Sequence, residues 1–332
     1  MLKNRIKISS PENQVFIFLH FVVKIQVQAE PNSIEAIPLM KGDNPMCDRI
    51  LHCPLTNRSK KVHPKIFLSP IFFLFLFAIY HSNSFAEGIN SQAAVVMDAS
   101  TGEIVYGKNS DYLLPPASTA KLMTAIIVME KANLSDIVTI SQKAAQAHPY
   151  KAGFKKGDRV TIEGLLFAAL LKSANDAAVA LAEAVAGSEE SFVSFMNEKA
   201  ALIGAGNTKF INATGLPGIG QYITALDLSR IMRCAMSYPK LKGILATPSA
   251  EVSTERGKAI FLKNTDKLLW SDEQVIGGKT GYTNSAKHCF VFAAERDGKT
   301  IIVSLLGSPT RKNLWKEAKK LADKGFQMVA HD

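Results

Sequence analysis

Two periodicities divide this chain, and their order constrains the fold more than any other feature. Ala93–Asp98 and Glu103–Gly107 are strand-type apolar runs flanking Ala99-Ser100-Thr101-Gly102, which predicts a hairpin turning at the glycine. Strand character returns in Gln274–Ile276, Cys289–Ala294 and Thr300–Leu306, the last two joined by a turn at Asp297-Gly298. Between these ends the period is helical. One helix is expected from Thr161 to Leu171, interrupted at Lys172–Asn175 and resuming from Asp176 to Ala186 before Gly187. Another covers Ser191–Leu202, and Thr224-Ala225-Leu226-Asp227 reads as a capping box opening a helix to about Met236. A final amphipathic helix runs from Thr310 to about Val329. Strands at both ends with helices between predict one α+β domain, an antiparallel sheet flanked by helices and holding an inserted helical lobe at about residues 135–240. A cleft between lobe and sheet is the natural substrate site.

The net charge of +10 says little about partners. Residues 1–86 hold ten Lys/Arg against five Asp/Glu, leaving 29 against 24 for the rest, with no basic run interleaved with aromatics. Nucleic acid is therefore not an expected partner. Residues 58–86 read as a secretory signal: Arg58, Lys60, Lys61 and Lys65, then the apolar run Ile66–Tyr80, then Ser84-Phe85-Ala86 as a cleavage site. The run is short for a membrane span and contains Pro70, so cleavage is expected. Residues 1–57 read as a non-structural or misassigned extension, with Met46 as an alternative start, and residues 87–332 as the folded domain. An exported protein can form disulfides, but Cys234 and Cys289 are expected to be buried free thiols. With no CxxC and no His/Cys cluster, neither metal nor cofactor is expected.

Chemistry concentrates in Pro115-Pro116-Ala117-Ser118-Thr119-Ala120-Lys121. The prolines end an extended approach, and Ala117 to about Ala132 is rich in helix formers, placing Ser118 at a helix N-terminus where free N–H groups favour developing negative charge. Lys121, three residues on, shares its face and could serve as base if burial or a second cation keeps it neutral. Taken alone, the pair is equally an N-cap serine and a solvated lysine, and Ser237-Tyr238-Pro239-Lys240 repeats the spacing with a proline inside it. Ser173-Ala174-Asn175, at the break between two apolar helices, is on its own an ordinary N-cap. Lys279-Thr280-Gly281 follows two glycines, which in a strand mark a close approach of backbone or ligand. A lysine and a threonine hydroxyl there suit a carboxylate.

In this order the three motifs resemble the active-site set of penicillin-binding proteins and serine β-lactamases. Ala117–Ala125, Asn175–Glu183, Thr214-Gly215-Leu216, Gly220–Asp227 and Gly278–Thr283 resemble the low-molecular-mass D-alanyl-D-alanine carboxypeptidases over about residues 91–328. The resemblance implies a β-lactamase/transpeptidase-like fold and a peptidoglycan pentapeptide as substrate. Ser118 would become acylated, Lys121 would take its proton, Ser173 would relay a proton to the leaving amine, and Asn175 would orient Lys121 and the substrate amide. Lys279 and Thr280 would bind the terminal carboxylate, beside Gly281, and the N–H groups of Ser118 and Tyr282 would hold the oxyanion. It implies β-lactams as covalent inhibitors, a monomer, no cofactor, and a periplasmic or cell-wall location.

Other readings fit less well. A Ser-His-Asp hydrolase needs a histidine, and residues 87–332 offer only His148, His288 and His331 and no G-x-S-x-G elbow; a class A β-lactamase would carry Ser-Asp-Asn and a Glu-x-x-Leu-Asn element. A D,D-endopeptidase cutting cross-links uses the same machinery, and a non-catalytic penicillin or peptidoglycan binder would have lost part of it. Ala147–Gly153 and Ile223 depart from the carboxypeptidase pattern and bear on the leaving group. The terminal helix sets Lys312, Lys316, Lys319, Lys320 and Lys324 opposite its apolar stripe. Such a helix can touch a membrane peripherally, but packing on the sheet is the expectation.

Overall fold

The computed structural model describes residues 88–330; the expected leader, the extension before it, Cys47 and Cys53 lie outside them. Strands β1 (Ala93–Asp98) and β2 (Ile104–Lys108) form the first hairpin. Asp98 Oδ1 shapes its turn by accepting from the backbone N–H of Ser100 at 2.7 Å and of Thr101 at 3.0 Å. One turn of 3-10 helix, Ala117–Ala120, then leads into α1 (Lys121–Lys131). A small ribbon, β3 (Ile137–Thr139) with β4 (Arg159–Thr161), encloses the short α2 (Gln142–Ala145). Next come α3 (Ile162–Leu171), α4 (Asn175–Ala186), α5 (Glu189–Leu202), α6 (Ala225–Met236) and α7 (Pro239–Leu245).

The helix boundaries follow local chemistry. Thr161, Ser188 and Thr224 are N-caps whose hydroxyls accept from N–H groups three residues on, and Gly187 ends α4 at φ +74°. Only half of the expected capping box forms. The Asp227 carboxylate turns away to Asn207 N at 2.7 Å, the Thr208 hydroxyl at 3.0 Å and Arg230 at 2.9 Å, so it fastens a loop and not its own helix end. Pro239, at the first turn of α7, separates Ser237 from Lys240, which pairs with Glu163; the second Ser-x-x-Lys is not a site.

A hairpin of β5 (Ser249–Ser253) and β6 (Ala259–Lys263) precedes β7 (Val275–Thr283), β8 (Lys287–Arg296), β9 (Lys299–Ser308) and α8 (Arg311–Val329). The sheet runs β2-β1-β9-β8-β7 and is antiparallel throughout, with β7 at one edge. The first strand thus lies beside the last, Ala93 opposite Leu306 and Asp98 opposite Ile301. Its inner strands are apolar on both faces because both are covered. Alternate residues Ala94, Val96, Phe290, Phe292, Ile301 and Val303 pack on α8 through Leu314, Ala318, Leu321 and Phe326. The residues between them, Val95, Met97, Val291, Ala293 and Ile302, join the core of the helical lobe. The terminal helix therefore buries its apolar stripe on the sheet with its lysine face exposed. Buried Glu317 ties it down by accepting from Asn90 N at 2.6 Å and Ser91 N at 3.1 Å. Cys234 and Cys289 are both free. Cys289 is fully buried, which pushes its thiol up to about 12, while Cys234 is only partly covered. No helix among the described residues is long and apolar enough to cross a membrane.

Candidate active site

Ser118 does not open the α-helix as expected; it lies in the 3-10 turn that precedes α1. That turn stacks side chains three apart, so Ser118 and Lys121 are eclipsed and the Lys121 Nζ reaches the Ser118 Oγ at 3.0 Å. The approach is strained: Ala117 has φ +47°, which a residue with a Cβ rarely adopts. Two glycines make room for it. A Cβ on Gly215 would lie 1.7 Å from the Ala117 carbonyl oxygen, and one on Gly281 would lie 2.9 Å from the Ser118 nitrogen. Gly281 therefore lets edge strand β7 run directly against Ser118.

Lys121 is fully buried and makes two further contacts, to Asn175 Oδ1 at 2.7 Å and the Thr214 carbonyl at 2.8 Å. Both are pure acceptors. A neutral amine has two hydrogens, which those oxygens take, and one lone pair, which is left facing the Ser118 hydroxyl. Burial holds Lys121 well below the ordinary lysine range, the Lys279 cation pushes it down further, and Asp176 acts weakly against both. Asn175 is fixed in turn, its amide donating to the Pro149 carbonyl and its backbone N–H to the Tyr150 carbonyl at 2.8 Å. The Lys121 amine is thus oriented and in contact with the Ser118 hydroxyl, in surroundings that disfavour its charged form.

From β7, the Lys279 Nζ donates to the Ser173 Oγ at 3.0 Å and to the Thr280 carbonyl at 2.9 Å. Ser173 sits at φ +62°, which turns its hydroxyl into the cleft at the α3–α4 junction. Thr280 Oγ1 lies 2.7 Å from Thr265 Oγ1, while the Tyr282 side chain faces solvent against His288. A cavity of about 540 Å³ joins Ser118, Ser173, Thr280 and Gly281. All eight expected residues therefore converge on one cleft between lobe and sheet edge. A larger cavity, about 810 Å³ by the β1–β2 turn, brings no nucleophile beside a base, and its Arg233 is already engaged with the Ala99 and Ser100 carbonyls.

The S11 peptidase family, described as D-alanyl-D-alanine carboxypeptidase, matches residues 81–310. The chain belongs to this family. It is 34% identical over 241 residues to the D-alanyl-D-alanine carboxypeptidase DacF of Bacillus subtilis, covering 71% of this chain and 62% of that relative, less than two thirds of its length. To a D-alanyl-D-alanine endopeptidase of Pseudomonas aeruginosa it is 33% identical, over 62% of this chain and 67% of the relative. The crystal structure of the Streptomyces K15 DD-transpeptidase superposes with a TM-score of 0.68 at 33% identity, covering 72% of this chain and 98% of that one. The fold is thus the α+β penicillin-binding architecture.

Three features of this carboxypeptidase-family site escaped the sequence reading. Thr214 supplies an orienting carbonyl to Lys121, and only the familiar look of Thr214-Gly215 hinted at it. Thr265, in an unremarkable loop, closes on Thr280. Asp266 is fully buried; Oδ1 accepts from Leu268 N at 2.9 Å, but Oδ2 has no partner among the described residues. Burial raises Asp266 to about 6, and its charge opposes the burial that lowers Lys279 to about 7.

A pH dependence follows from the signs. Lys279 must be a cation to hold a carboxylate, which requires pH below about 7 in the free enzyme. Lys121 must be neutral, which requires pH above its depressed value. For a carboxylate-ended peptide, kcat/KM should be bell-shaped with its alkaline limb near 7. The limb should move up in kcat, because bound carboxylate favours the Lys279 cation. A kcat/KM flat through pH 9 would contradict the assignment.

Proposed function

We infer that Ser118 is the nucleophile of a serine D,D-carboxypeptidase that removes the terminal D-alanine from peptidoglycan stem peptides. The observation that carries this is the buried Lys121 amine, 3.0 Å from the Ser118 hydroxyl and held there by the Asn175 and Thr214 oxygens. Ser118 Oγ bonds to the carbonyl carbon of the penultimate D-alanine as its proton passes to Lys121. Oxyanion charge falls on the N–H groups of Ser118 and Tyr282. The C–N bond then breaks, and the proton that Lys121 took from Ser118 passes to the leaving nitrogen by way of the Ser173 hydroxyl, which returns Lys121 to the neutral amine; the Ser173 oxygen is held meanwhile by Lys279. Lys279 and Thr280 hold the terminal carboxylate. Water, deprotonated by Lys121, hydrolyses the Ser118 ester. A β-lactam enters the same path and acylates Ser118.

The leader-like residues 58–86 support export to the periplasmic or cell-wall side, where the substrate lies. To test the activity, the protein is incubated with diacetyl-Lys-D-Ala-D-Ala and free D-alanine is followed, with Ser118→Ala as control. The wild type should release D-alanine and be labelled by penicillin, and the variant should do neither. Absence of both from the wild type would sink the assignment.

A further inference from the structure

Behind the carboxylate cradle lies a carboxyl group that the mechanism above does not use. Asp266 is fully buried and lines no part of the cleft. The chain holds it firmly in place. Its N–H donates to Asn264 Oδ1 at 2.9 Å, and the Asn264 amide donates to the Thr247 carbonyl at 3.0 Å. The neighbouring Thr265 N–H donates to the Leu171 carbonyl at 3.1 Å, at the end of α3. Asp266 Oδ1 accepts from Leu268 N at 2.9 Å, a side-chain turn that leads into the 3-10 segment Leu268–Trp270. That role explains one oxygen, and asparagine would fill it as well without burying a charge.

The second oxygen lies against β7. A Cβ on Gly278 would lie 2.7 Å from Asp266 Oδ2 and 2.8 Å from both Phe290 and Phe292, so glycine at that position admits the carboxylate to the strand. Successive strand residues face opposite ways, and Lys279 turns from there to Ser173 in the cleft. Asp266 and Lys279 are thus set on either side of one strand without touching, for they make no ion pair within 4.0 Å. The separation has a chemical consequence. The Lys279 ammonium has three hydrogens, and Ser173 Oγ and the Thr280 carbonyl take two. A carboxylate in contact would take the third, which a substrate carboxylate needs. A charge across the strand favours the ammonium by Coulomb attraction, which falls only as the inverse of distance, and leaves that hydrogen free. Burial raises Asp266 to about 6 and lowers Lys279 to about 7, and the charge of each acts against the burial of the other. Among the described residues no other charge acts on either one, and Lys121, which feels Lys279 from α1, is itself in surroundings that disfavour its charged form.

We propose that Asp266 is a positioning residue for the carboxylate cradle: a buried counter-charge, admitted by Gly278, that keeps Lys279 cationic in the empty site and so sets the capture of carboxylate-ended substrates. The proposal rests on the reading of Lys279 as the carboxylate ligand of a Ser118 enzyme. Its sign is fixed. Without the Asp266 charge, Lys279 loses its proton at lower pH, so the alkaline limb of kcat/KM moves down while the rate below that limb is untouched. A bound substrate carboxylate supplies the same attraction to Lys279. Asp266 therefore acts on capture and not on the turnover of bound substrate.

The test is Asp266→Asn, which keeps the acceptor for Leu268 N and removes the charge. On diacetyl-Lys-D-Ala-D-Ala, its kcat/KM should stay within about twofold of wild type at about pH 5.5 and fall about tenfold below it at about pH 8, the effect of lowering the Lys279 limb by about one unit. KM should carry the loss, with kcat nearly unchanged. Acylation by benzylpenicillin should show the same pH-dependent loss, and acylation by its methyl ester, which has no free carboxylate, should not. An unmoved limb, an equal loss at every pH, or equal losses with acid and ester would overturn the proposal. If Asp266→Asn does not fold, adding Lys279→Gln decides. Recovery of the melting transition in the double variant would show that the two charges balance each other, and no recovery would overturn the pairing. A wild type that neither releases D-alanine nor is labelled by penicillin would instead remove the Ser118 reading, while the melting comparison would still report on the Asp266–Lys279 pair.

Discussion

Replacing Lys121 with methionine is expected to slow acylation of Ser118 by penicillin at least about 10³-fold, the range that loss of a positioned general base commands. Methionine nearly fills the space of the lysine stem but offers neither lone pair nor N–H. The Ser118 hydroxyl then keeps its proton, and the buried Asn175 Oδ1 and Thr214 carbonyl lose a shared donor. Lys121→Arg separates the two effects. Arginine restores donors to both acceptors but cannot give up its proton in a protein, so the rate should stay equally low while stability partly recovers. Stopped-flow acylation with thermal unfolding on both variants provides the check. Lys121→Arg acylating within tenfold of wild type would show that the amine organises the site without accepting the proton.

The largest effect on stability is expected at Gly215. Alanine there would place a methyl group 1.7 Å from the Ala117 carbonyl oxygen on a backbone at φ +79°, and no rotamer can relieve a clash at Cβ. The cost should reach about 3 kcal/mol or more, among the exceptional values for one substitution. Gly220→Ala isolates the cause, since Gly220 is also left-handed, at φ +84°, but nothing lies within 4 Å of its would-be Cβ. That control should lose only about 1 kcal/mol, the ordinary cost of a left-handed L-residue. Calorimetry should show a melting point lower for Gly215→Ala by roughly 5–10 °C relative to the control, along with lost penicillin labelling, because Ala117 and Ser118 must shift. Equal melting points would mean that the Ala117 turn is free to move.

Much of this was legible in the chain. The hairpin at Ala99–Gly102, the break before Asn175 and the helix after Thr310 are written in turn residues, caps and periodicity, all of which act over a few positions. The sheet strands proved longer than their apolar cores. Lys279, Thr280 and Gly281 are strand residues on the edge strand beside the cleft, and their polar and glycine character hides the strand. The β3–β4 and β5–β6 ribbons went unseen for the opposite reason. Residues such as Ser249, Glu251 and Ser253 face solvent, leaving little pattern to read. At the site, residue types and spacing pointed to Ser118 and Lys121, which do meet. The Thr214 carbonyl, Thr265 and the buried Asp266 depend on chain segments meeting in space, which no local signal records.

The pairing of Ala93 with Leu306 joins residues more than two hundred positions apart, at the centre of the sheet. Residues from β1 through β8 can be complete in sequence and still lack the strand that joins β1 to β8. Ser118 and Lys121 are made early, but the strand that presents Lys279 to Ser173 is anchored to the rest only once β9 has been delivered. Closing so long a loop before native contacts reward it is slow. Synthesis from the N-terminus therefore completes the sheet late, and Ser118 and Lys121 exist well before the strand pairing that fixes Lys279 beside Ser173.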